Sequence, residues 1–444
     1  MSDIKVKLER LKKERASRSG QIKDAWERID SESGLTTKEK LEQLISLERA
    51  SKIERPPQPE FDPEAKEPFR FLENPHGLAV RYGRIRIGDG LRIPGDLLTC
   101  MSHDPAFNDL DLSSAVFLDL ETTGLSGGTG VIPFLTGLGY YRDDKFWVVQ
   151  YFLGDLGAEE DMLRDMARFF TDMNFKSVVT YNGKAFDLPL LETRFVLNRL
   201  PFPIGGLPHL DFLFPARRLW GHKYENCRLF NLALELIGTD RAEDIPSAEI
   251  PWRYFQYIQT GNYDLIEPII YHNVEDILSL LGVVVLGASV FLKDEDLCTP
   301  DGMDLFGAGK IMESFGDMEK SSRFYQKALE HSTSEEVALS VRKRLSRHQK
   351  KSDRSGDAVL LWKEMVTTET VSLDVLYSYR ELAMYFEHRD KNYEEARRYA
   401  EEGLVASFNI SVRYESDFRH RLERLKGRLK KEREQTGKEE GRSE

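Results

Sequence analysis

The sequence predicts an α/β domain with a mixed sheet flanked by helices, followed by an all-α C-terminal domain of helical repeats. Three successive runs of β-branched and aromatic residues, AVFLDLE, FLTGLGYYR and KFWVVQYFL, are separated by Gly or charged turns and indicate an antiparallel meander. Strand and helix patterns then alternate until about Leu292, which is typical of a sheet covered by helices. Beyond residue 300 the strand pattern disappears and similar helical segments recur.

The recurring C-terminal segments contain Gly316, Gly356 and Asn392, at intervals of 40 and 36 residues. Because this spacing is close to the tetratricopeptide period, we expect a stack of helical hairpins of that type. The closing segment FRHRLERLKGRLKKER predicts a basic helix with leucines on one side. It favours a capping helix with a solvated face, and contact with nucleic acid is the alternative.

Composition shifts along the chain predict its other segments. The first residues are charged and favour helix, and the stretch ERPPQPEFDPEAKEP then breaks helix repeatedly. The predicted segments are a charged helical or disordered arm (1–54), a Pro-rich linker (55–70), a short β-rich lead-in (71–111), the α/β domain (112–295), the helical repeats (300–431) and a disordered tail (432–444).

Length, charge and cysteine content restrict the class of protein. A chain of 444 residues exceeds one compact core and predicts two to three domains. The formal net charge of -12 argues against a general polyanion binder, although a nucleic-acid enzyme can carry a local positive surface. The three cysteines, Cys100, Cys227 and Cys298, are far apart and form no CxxC pair. This usage indicates a reducing compartment and excludes a zinc-ribbon site.

The sequence also bears on location. Its first twenty residues are charged and lack an apolar core, so we do not expect a signal peptide. The longest apolar stretch, near Ile277 to Leu292, is interrupted by serine and glycine and is short for a membrane span. We therefore expect a cytoplasmic protein without a membrane partner.

Two acids end the first strand of the predicted meander. Side chains two residues apart in a strand point to the same face, so Asp119 and Glu121 can reach one divalent cation. Such a cation prefers hard oxygen ligands. The alternative is a strand end that faces solvent, because isolated acid pairs of this kind are common.

Two further elements carry polar residues where a strand meets a helix or within a helix. In YNGKAFDLPLL, Asp187 falls at a helix start, where a cap is the alternative, and the Asn182 amide could orient a carboxylate or contact substrate. In IIYHNVEDILSLL, His272 and Asp276 are four residues apart and share a helix face. This pair places a potential general base beside an acid, and a solvated helix edge is the alternative.

The order of these elements resembles the DEDD superfamily of 3'-5' exonucleases, which have an RNase H-like fold. The segments DLETTGL, YNGKAFDLPLLETR, HLDFLFPARRLW, NLALELIG and EDIPSAEIPWRYFQYIQTGN are similar to the bacterial YprB-type family. The resemblance covers roughly residues 112 to 290. It implies an RNase H-like domain with exonuclease character, often followed by tetratricopeptide-like helices.

The resemblance also implies a mechanism and a set of site residues. Two Mg²⁺ or Mn²⁺ ions would activate water and stabilise the leaving oxygen of a single-stranded DNA or RNA phosphodiester. The metal ligands would be Asp119, Glu121, Asp187 and Asp276, with His272 as the base and with Asn182, Lys184 and Thr122 contacting substrate. Lys184 could equally be a solvated residue at a helix start.

The spacing of the base departs from both subclasses of the superfamily. In the tyrosine subclass three residues separate the Tyr from the last Asp, and in the histidine subclass four residues separate the His from it. Here His272 has the tyrosine-type spacing and Tyr271 has the histidine-type spacing. We favour His272 because its i, i+4 relation places it beside Asp276, and Tyr271 is the alternative.

Other motifs leave the function open to a second interpretation. The cluster Arg217, Arg218, Trp220, His222, Lys223 and Tyr224 could hold a single strand by charge and stacking, or could be a packed Trp with solvated cations. SGGTG and GAGK lack the phosphate-loop pattern and are interpreted as turns. The alternative to a nuclease is a non-catalytic nucleic-acid-binding or scaffold protein that recruits protein partners through its helical repeats. A nuclease of very short oligonucleotides is a third possibility.

Overall fold

The computed structural model describes residues 67–124, 130–239, 245–292, 299–331 and 334–440. The predicted N-terminal arm, most of the predicted linker and most of SGGTG lie outside these residues.

A six-stranded mixed sheet forms the centre of the α/β region, as the sequence predicts. Its order is β1 (Phe69–Gly77), β6 (Lys145–Leu153), β5 (Pro133–Arg142), β4 (Ala115–Thr122), β7 (Ser177–Thr180) and β8 (His209–Asp211). The first four strands in this order are antiparallel, and β4, β7 and β8 are parallel. Consecutive strands β4, β5 and β6 therefore form the predicted meander. A separate hairpin joins β2 (Arg81–Tyr82) to β3 (Ile85–Arg86).

Helices cover both faces of this sheet. They are α1 (Gly95–Ser102), α2 (Glu159–Met173), α3 (Asp187–Leu197), α4 (Leu213–Trp220), α5 (Leu229–Leu232, continued by a π-helical turn), α6 (Ile250–Thr260) and α7 (Glu267–Leu292). Alternate residues of β4 separate the two cores, since Phe117 packs in the cluster with α1, α4 and α7, whereas Val116 and Leu118 pack with α2, α3 and α6. Asp119 and Glu121 continue the Phe117 side and therefore point toward α7.

The β-rich lead-in differs from its prediction. β1 begins at Phe69, inside the predicted linker, and pairs with β6 as an edge strand of the main sheet. The run GLAVRYGRIRIGDGLRI instead forms only the short β2–β3 hairpin and a 3₁₀ helix, and α1 follows. Edge strand β1 was missed because its sequence, FRFLENPHG, ends in the turn-forming residues Asn74, Pro75 and Gly77, which favour a loop from sequence alone.

Helix α7 is the long apolar helix of the α/β core. Together with the turn before it, over Tyr263–Leu292, it is long and apolar enough to cross a membrane by length and composition. However, 78% of its most apolar window is buried against the rest of the protein. Its residues Ile277, Leu281 and Val284 are fully buried in the core that also contains Phe117, which identifies α7 as a central packing helix.

The described part of the chain beyond residue 300 is all-α, as predicted. Its helices are α8 (Gly302–Phe315), α9 (Met318–Glu330), α10 (Glu335–Lys351), α11 (Ser355–Val366), α12 (Leu373–His388), α13 (Tyr393–Ser407) and α14 (Val412–Glu440). Gly316 ends α8 with φ +99°, Gly356 lies in the first turn of α11, and Asn392 caps α13. Gly316, Gly356 and Asn392 therefore each lie where the second helix of a hairpin begins. Whether the hairpins are tetratricopeptide repeats stays a prediction.

The basic C-terminal helix α14 packs against the preceding hairpin. Leu425 and Leu429 are buried, and Arg421 Nη1 donates to the fully buried Glu387 carboxylate over 2.6 Å. Arg424 donates to the same carboxylate from two nitrogens, each over 2.7 Å. These cations are therefore used in packing. The helix continues to Glu440, so the first part of the predicted disordered tail is helical, in agreement with its Lys- and Glu-rich composition.

The basic–aromatic cluster at the end of α4 forms the contact with the helical region. Trp220 is buried, and Lys223 Nζ lies 2.8 Å from carboxylate oxygens of both Asp301 and Asp304. His222 Nε2 lies 2.7 Å from the Met303 carbonyl oxygen. These residues therefore connect the two regions, and Lys223 is not the solvated cation that the packed-Trp alternative expected.

The GAGK motif lies inside α8, so its interpretation as a turn was wrong. A Cβ on Gly307 would lie 2.3 Å from the Leu219 carbonyl oxygen, and one on Gly309 would lie 2.3 Å from the Tyr325 ring. The two glycines therefore allow α8 to approach α4 on one side and α9 on the other. Close helix packing therefore explains Gly307 and Gly309, whereas the sequence pattern alone suggested a turn.

We expect Gly307→Ala to destabilise the protein by about 1–3 kcal/mol, because the added methyl group meets backbone and not a movable side chain. Gly356→Ala is the matched control, since its Cβ would meet nothing within 4 Å. That change should raise stability by about 0.5–1 kcal/mol, as Ala favours helix. Urea unfolding followed by circular dichroism measures both variants, and equal stabilities for the two would contradict the packing role of Gly307.

Candidate active site

Strand β4 and helix α7 bring two acids and a histidine together. Ligand atoms of Glu121, His272 and Asp276 all lie within 4.8 Å of one another. The Nε2 atom of His272 is 3.5 Å from Glu121 Oε1 and 3.4 Å from Asp276 Oδ2. His272 is buried, so this imidazole is held between the two carboxylates at the inner end of the site.

Asp119 belongs to the same cluster. Its burial raises the pKa of its carboxyl group well above the ordinary value, and the charges of Asp276, Glu121 and Asp187 raise it further. A hydrogen bond from Asn273 Nδ2 to Asp119 Oδ2, 2.9 Å long, acts in the opposite direction. Among the described residues, the ionised form of Asp119 therefore lacks the positive partner that buried carboxylates need.

Asp187 approaches this cluster from the start of α3. Burial raises its pKa to about 7, with a further contribution from the charge of Asp211, while hydrogen bonds from its own backbone and from that of Leu120 lower it. The hydrogen bond with the Leu120 backbone holds Asp187 against β4. Leu120 itself lies between Asp119 and Glu121 in that strand. All four predicted acids thus converge on one place.

The donor set of the cluster fits a divalent cation. Four carboxylates and one imidazole are crowded together, and burial, with repulsion from the neighbouring acids, raises the pKa of Asp119. Hard oxygen ligands with one nitrogen suit Mg²⁺ or Mn²⁺, and a bound cation would supply the missing positive charge. The geometric group of Glu121, His272 and Asp276 also makes His272 a possible ligand, in addition to the predicted role as a base.

Of the predicted substrate-contact residues, Asn182 and Lys184 lie on the loop before α3, and Thr122 is the last residue of β4. Asn182 has a left-handed backbone with φ +71°, a conformation that Asn tolerates well. The Lys184 side chain is exposed. The Thr122 hydroxyl donates to the Gly124 carbonyl oxygen over 2.7 Å and so helps to close the turn that leaves β4.

A buried aspartate that the sequence reasoning missed organises the loop before α3. Asp211, at the end of β8, accepts backbone hydrogen bonds from Asn182 (2.7 Å), Lys184 (3.1 Å) and Leu213 (3.2 Å). It therefore holds the loop that leads to Asp187. The sequence did contain a signal for Asp211. It ends the strand in HLDFLF, and the strand SVVTYN also ends in a polar residue, Asn182.

A buried amide pair behind Asp119 was also missed. Gln150 Nε2 donates to Asn273 Oδ1 and to the Ile270 carbonyl oxygen, both over 2.9 Å, and Asn273 in turn donates to Asp119. Gln150 and Asn273 are both fully buried. A Cβ on Gly137 would lie 2.1 Å from Asn273 Oδ1, so this glycine of β5 makes room for the amide. The signal was a glutamine inside the apolar strand KFWVVQYFL.

The residues next to His272 and Asp276 on α7 have separate positions. Glu275 accepts a 2.8 Å hydrogen bond from the Tyr82 hydroxyl, so it is tied to the β2–β3 hairpin. Tyr271 is half-buried and precedes His272 on α7. The structure places His272 beside two of the acids, and Tyr271 stays the alternative base.

A match to a family model and similarity to one relative agree with this architecture. Residues 116–286 match the model of the RNase_H superfamily, a range that contains all the acids described above. The protein YprB of Bacillus subtilis (strain 168) is 31% identical over 327 residues, which are 73% of this chain and 78% of that protein. A solved family B DNA polymerase from the archaeon Pyrobaculum calidifontis is 14% identical with a TM-score of 0.31, over 46% of this chain and 29% of the polymerase chain. The chain spans less than a third of that polymerase.

The family of this chain follows from two of these matches. On the match to the family model and the extent of the similarity to YprB, this chain belongs to the YprB-type family of RNase H-like proteins.

Proposed function

We propose that the protein is a divalent-metal-dependent nuclease, and specifically a 3'-5' exonuclease of single-stranded DNA or RNA. The observation that carries the proposal is the convergence of Asp119, Glu121, Asp187 and Asp276 around one buried histidine. Four carboxylates crowded at one place are unfavourable in a folded protein unless a cation or a reaction requires them.

The four carboxylates would hold the metal. When bound, two Mg²⁺ or Mn²⁺ ions supply an activated water and stabilise charge on the leaving oxygen of a phosphodiester. The Gln150–Asn273 amide pair holds the Asp119 carboxylate, and Asp211 holds the loop that leads to Asp187. These residues keep the ligands in place before substrate arrives.

His272 is the proposed base. Its Nε2 atom lies between the Glu121 and Asp276 carboxylates, which would stabilise the imidazolium formed when it accepts a proton. Asn182 and Lys184 lie on the loop before α3 and are proposed to contact the phosphate or the terminal sugar. Thr122, at the end of β4, is proposed to contact the same part of the substrate.

The test uses pure protein with single-stranded DNA and RNA labelled at the 5' end, in Mg²⁺, Mn²⁺ or EDTA. We expect a ladder of products that shortens by one nucleotide at a time from the 3' end and requires metal. His272→Gln should lower kcat by about 10²–10⁴-fold if the residue is a base, whereas Tyr271→Phe should be nearly neutral.

Two outcomes separate this proposal from its alternatives. Digestion that begins with release of the 5' label, or internal cleavage, would reject the 3'-5' direction while keeping the metal-dependent nuclease. Absence of cleavage of DNA, RNA and dinucleotides with either metal, by protein that is folded and binds a protein partner through its helices, would favour the scaffold alternative.

A further inference from the structure

The helical region contains an arginine-rich groove that the proposed nuclease site does not use. It has a volume of about 440 Å³ and lies between α10, α12 and α14. Its lining residues, here called the arginine groove, are Arg347, Tyr377, Arg380, Arg413, Tyr414, Ser416, Asp417 and His420. Three guanidinium groups from three helices therefore face one concave surface, accompanied by a single carboxylate.

Aromatic rings hold two of these guanidinium groups. Arg347 lies 5.1 Å from the centroid of the buried Tyr377 ring, and Arg380 lies 5.8 Å from the same centroid. Arg380 is also 5.9 Å from the Tyr414 ring centroid. Cation–π contact orders a guanidinium group without neutralising it, so these groups stay charged.

The charge of the groove is only partly balanced. Arg380 donates to Glu381 over 3.0 Å, but its Nε atom is buried and has no hydrogen-bond partner among the described residues. Arg347 and Arg413 are exposed and form no ion pair with any residue in the described part of the chain. In a protein with a net charge of -12, the exposed Arg347 and Arg413 make this groove a local positive surface.

The chemistry of the groove fits phosphate. Arginine forks bind phosphate oxygens in pairs, and guanidinium groups on three helices suit an anion with several charges or several phosphates in a row. The faces of Tyr377 and Tyr414 are already covered by arginine, so charge contributes more than base stacking. Binding should therefore be insensitive to base sequence and sensitive to salt.

The rest of the described chain makes nucleic acid a more suitable ligand than an acidic peptide. Part of the basic–aromatic cluster predicted to hold a single strand is used at the contact with the helical region, where Trp220 is buried and Lys223 pairs with acids, while Arg217 is exposed. A nuclease still requires a cationic surface for its polyanionic substrate, and the arginine groove provides one.

We propose that the arginine groove binds the phosphates of a single-stranded nucleic acid, or of the nucleotide released from it. That the groove binds an anion follows from its own arginines. That this anion is a nucleic acid rests on the proposed function. The groove would retain the strand or its product, while the acids around His272 carry out the cleavage.

The test measures binding in EDTA, so that cleavage plays no part. Fluorescence anisotropy with a labelled single-stranded 12-mer of DNA or RNA compares the full chain with the double variant Arg347→Glu, Arg413→Glu. We expect at least a tenfold loss of affinity and a salt dependence that is smaller in slope by about 1.4, since each lost phosphate contact contributes about 0.7. Competition by nucleoside monophosphate, but not by inorganic phosphate, would identify the released nucleotide as the occupant, and competition by neither would identify the strand.

The matched control is Arg323→Glu, Lys327→Glu on α9, which changes the charge equally at two exposed positions of the helical region. Equal loss of binding in both double variants would overturn the groove and indicate a general electrostatic effect. Stronger binding of poly-glutamate than of DNA, lost in the groove variant, would reassign the groove to an acidic peptide. The variant Arg347→Ala, Arg413→Ala repeats the measurement if charge reversal lowers the melting temperature.

Failure of this inference is distinguishable from failure of the proposed function. Asp119→Asn should bind the 12-mer at the groove as tightly as the parent protein does, whatever its cleavage rate. Groove-dependent binding by a chain that cleaves nothing would leave the inference standing without the nuclease, whereas unchanged binding by the groove variant would overturn the inference in an active enzyme.

Discussion

Asp119→Asn is expected to lower metal-dependent cleavage at least about 10³-fold, equivalent to about 4 kcal/mol, and to raise the melting temperature measured in EDTA. The first effect follows from loss of a proposed metal ligand of the acid cluster. The second follows because burial and three neighbouring carboxylates disfavour the charged form of Asp119. An asparagine keeps the size of the side chain and can still accept the hydrogen bond from Asn273.

We expect the rise in melting temperature to be about 2–6 °C, and the stabilisation by added Mn²⁺ to be largely lost in the same variant. Differential scanning fluorimetry with and without Mn²⁺ measures both effects. Glu275→Gln is the matched control, because it removes a charge from the same helix next to Asp276 but at a side chain bonded to Tyr82. A variant of Asp119 that melts lower in EDTA than the parent would show that its carboxylate stabilises the fold, which contradicts the metal-site interpretation.

The sheet could be predicted from the sequence wherever local patterns are strong. β4, β5 and β6 are dense runs of β-branched and aromatic residues separated by turns, and such runs pair with their neighbours in sequence. β1 was missed because it pairs with β6, which lies more than sixty residues away in sequence, and its own pattern is weak. GAGK was misread for a related reason, since nothing local shows that Gly307 faces the backbone of Leu219.

In the candidate site, too, only the residues with a strong local pattern could be predicted from the sequence. The acids could be predicted because each lies at a strand end or on a helix with a recognisable spacing, and their order along the chain resembles a known family. The amides behind them could not be predicted, because Gln150 is 123 residues from Asn273 and Asn273 is 154 residues from Asp119. A buried amide is recognised by its partners, and only the fold brings these partners together.

The buried amide pair leads to the second large effect. We expect Asn273→Leu to raise the Mn²⁺ concentration needed for half-maximal cleavage by about 10–100-fold, as is typical when a group that holds a metal ligand is removed. The variant takes the hydrogen-bond donor from Asp119 and leaves Gln150 Nε2 with the Ile270 carbonyl oxygen alone. Because Asn273 is fully buried and donates to a proposed metal ligand, saturating Mn²⁺ should restore much of kcat. Loss of kcat without any change in metal requirement would contradict the positioning role.

Two glycines of β5 separate that positioning role from a general loss of stability. A Cβ on Gly137 would lie 2.1 Å from Asn273 Oδ1, and a Cβ on Gly139 would lie 2.6 Å from the side chains of Ile277 and Phe146. Gly137→Ala and Gly139→Ala should therefore both lower the melting temperature, since each forces a packed neighbour to move. Only Gly137→Ala displaces the amide that holds Asp119, so only this variant should need more Mn²⁺. An equal increase in the metal requirement of both variants would mean that the site responds to the strength of the core as a whole, and the specific role of Asn273 would then be wrong.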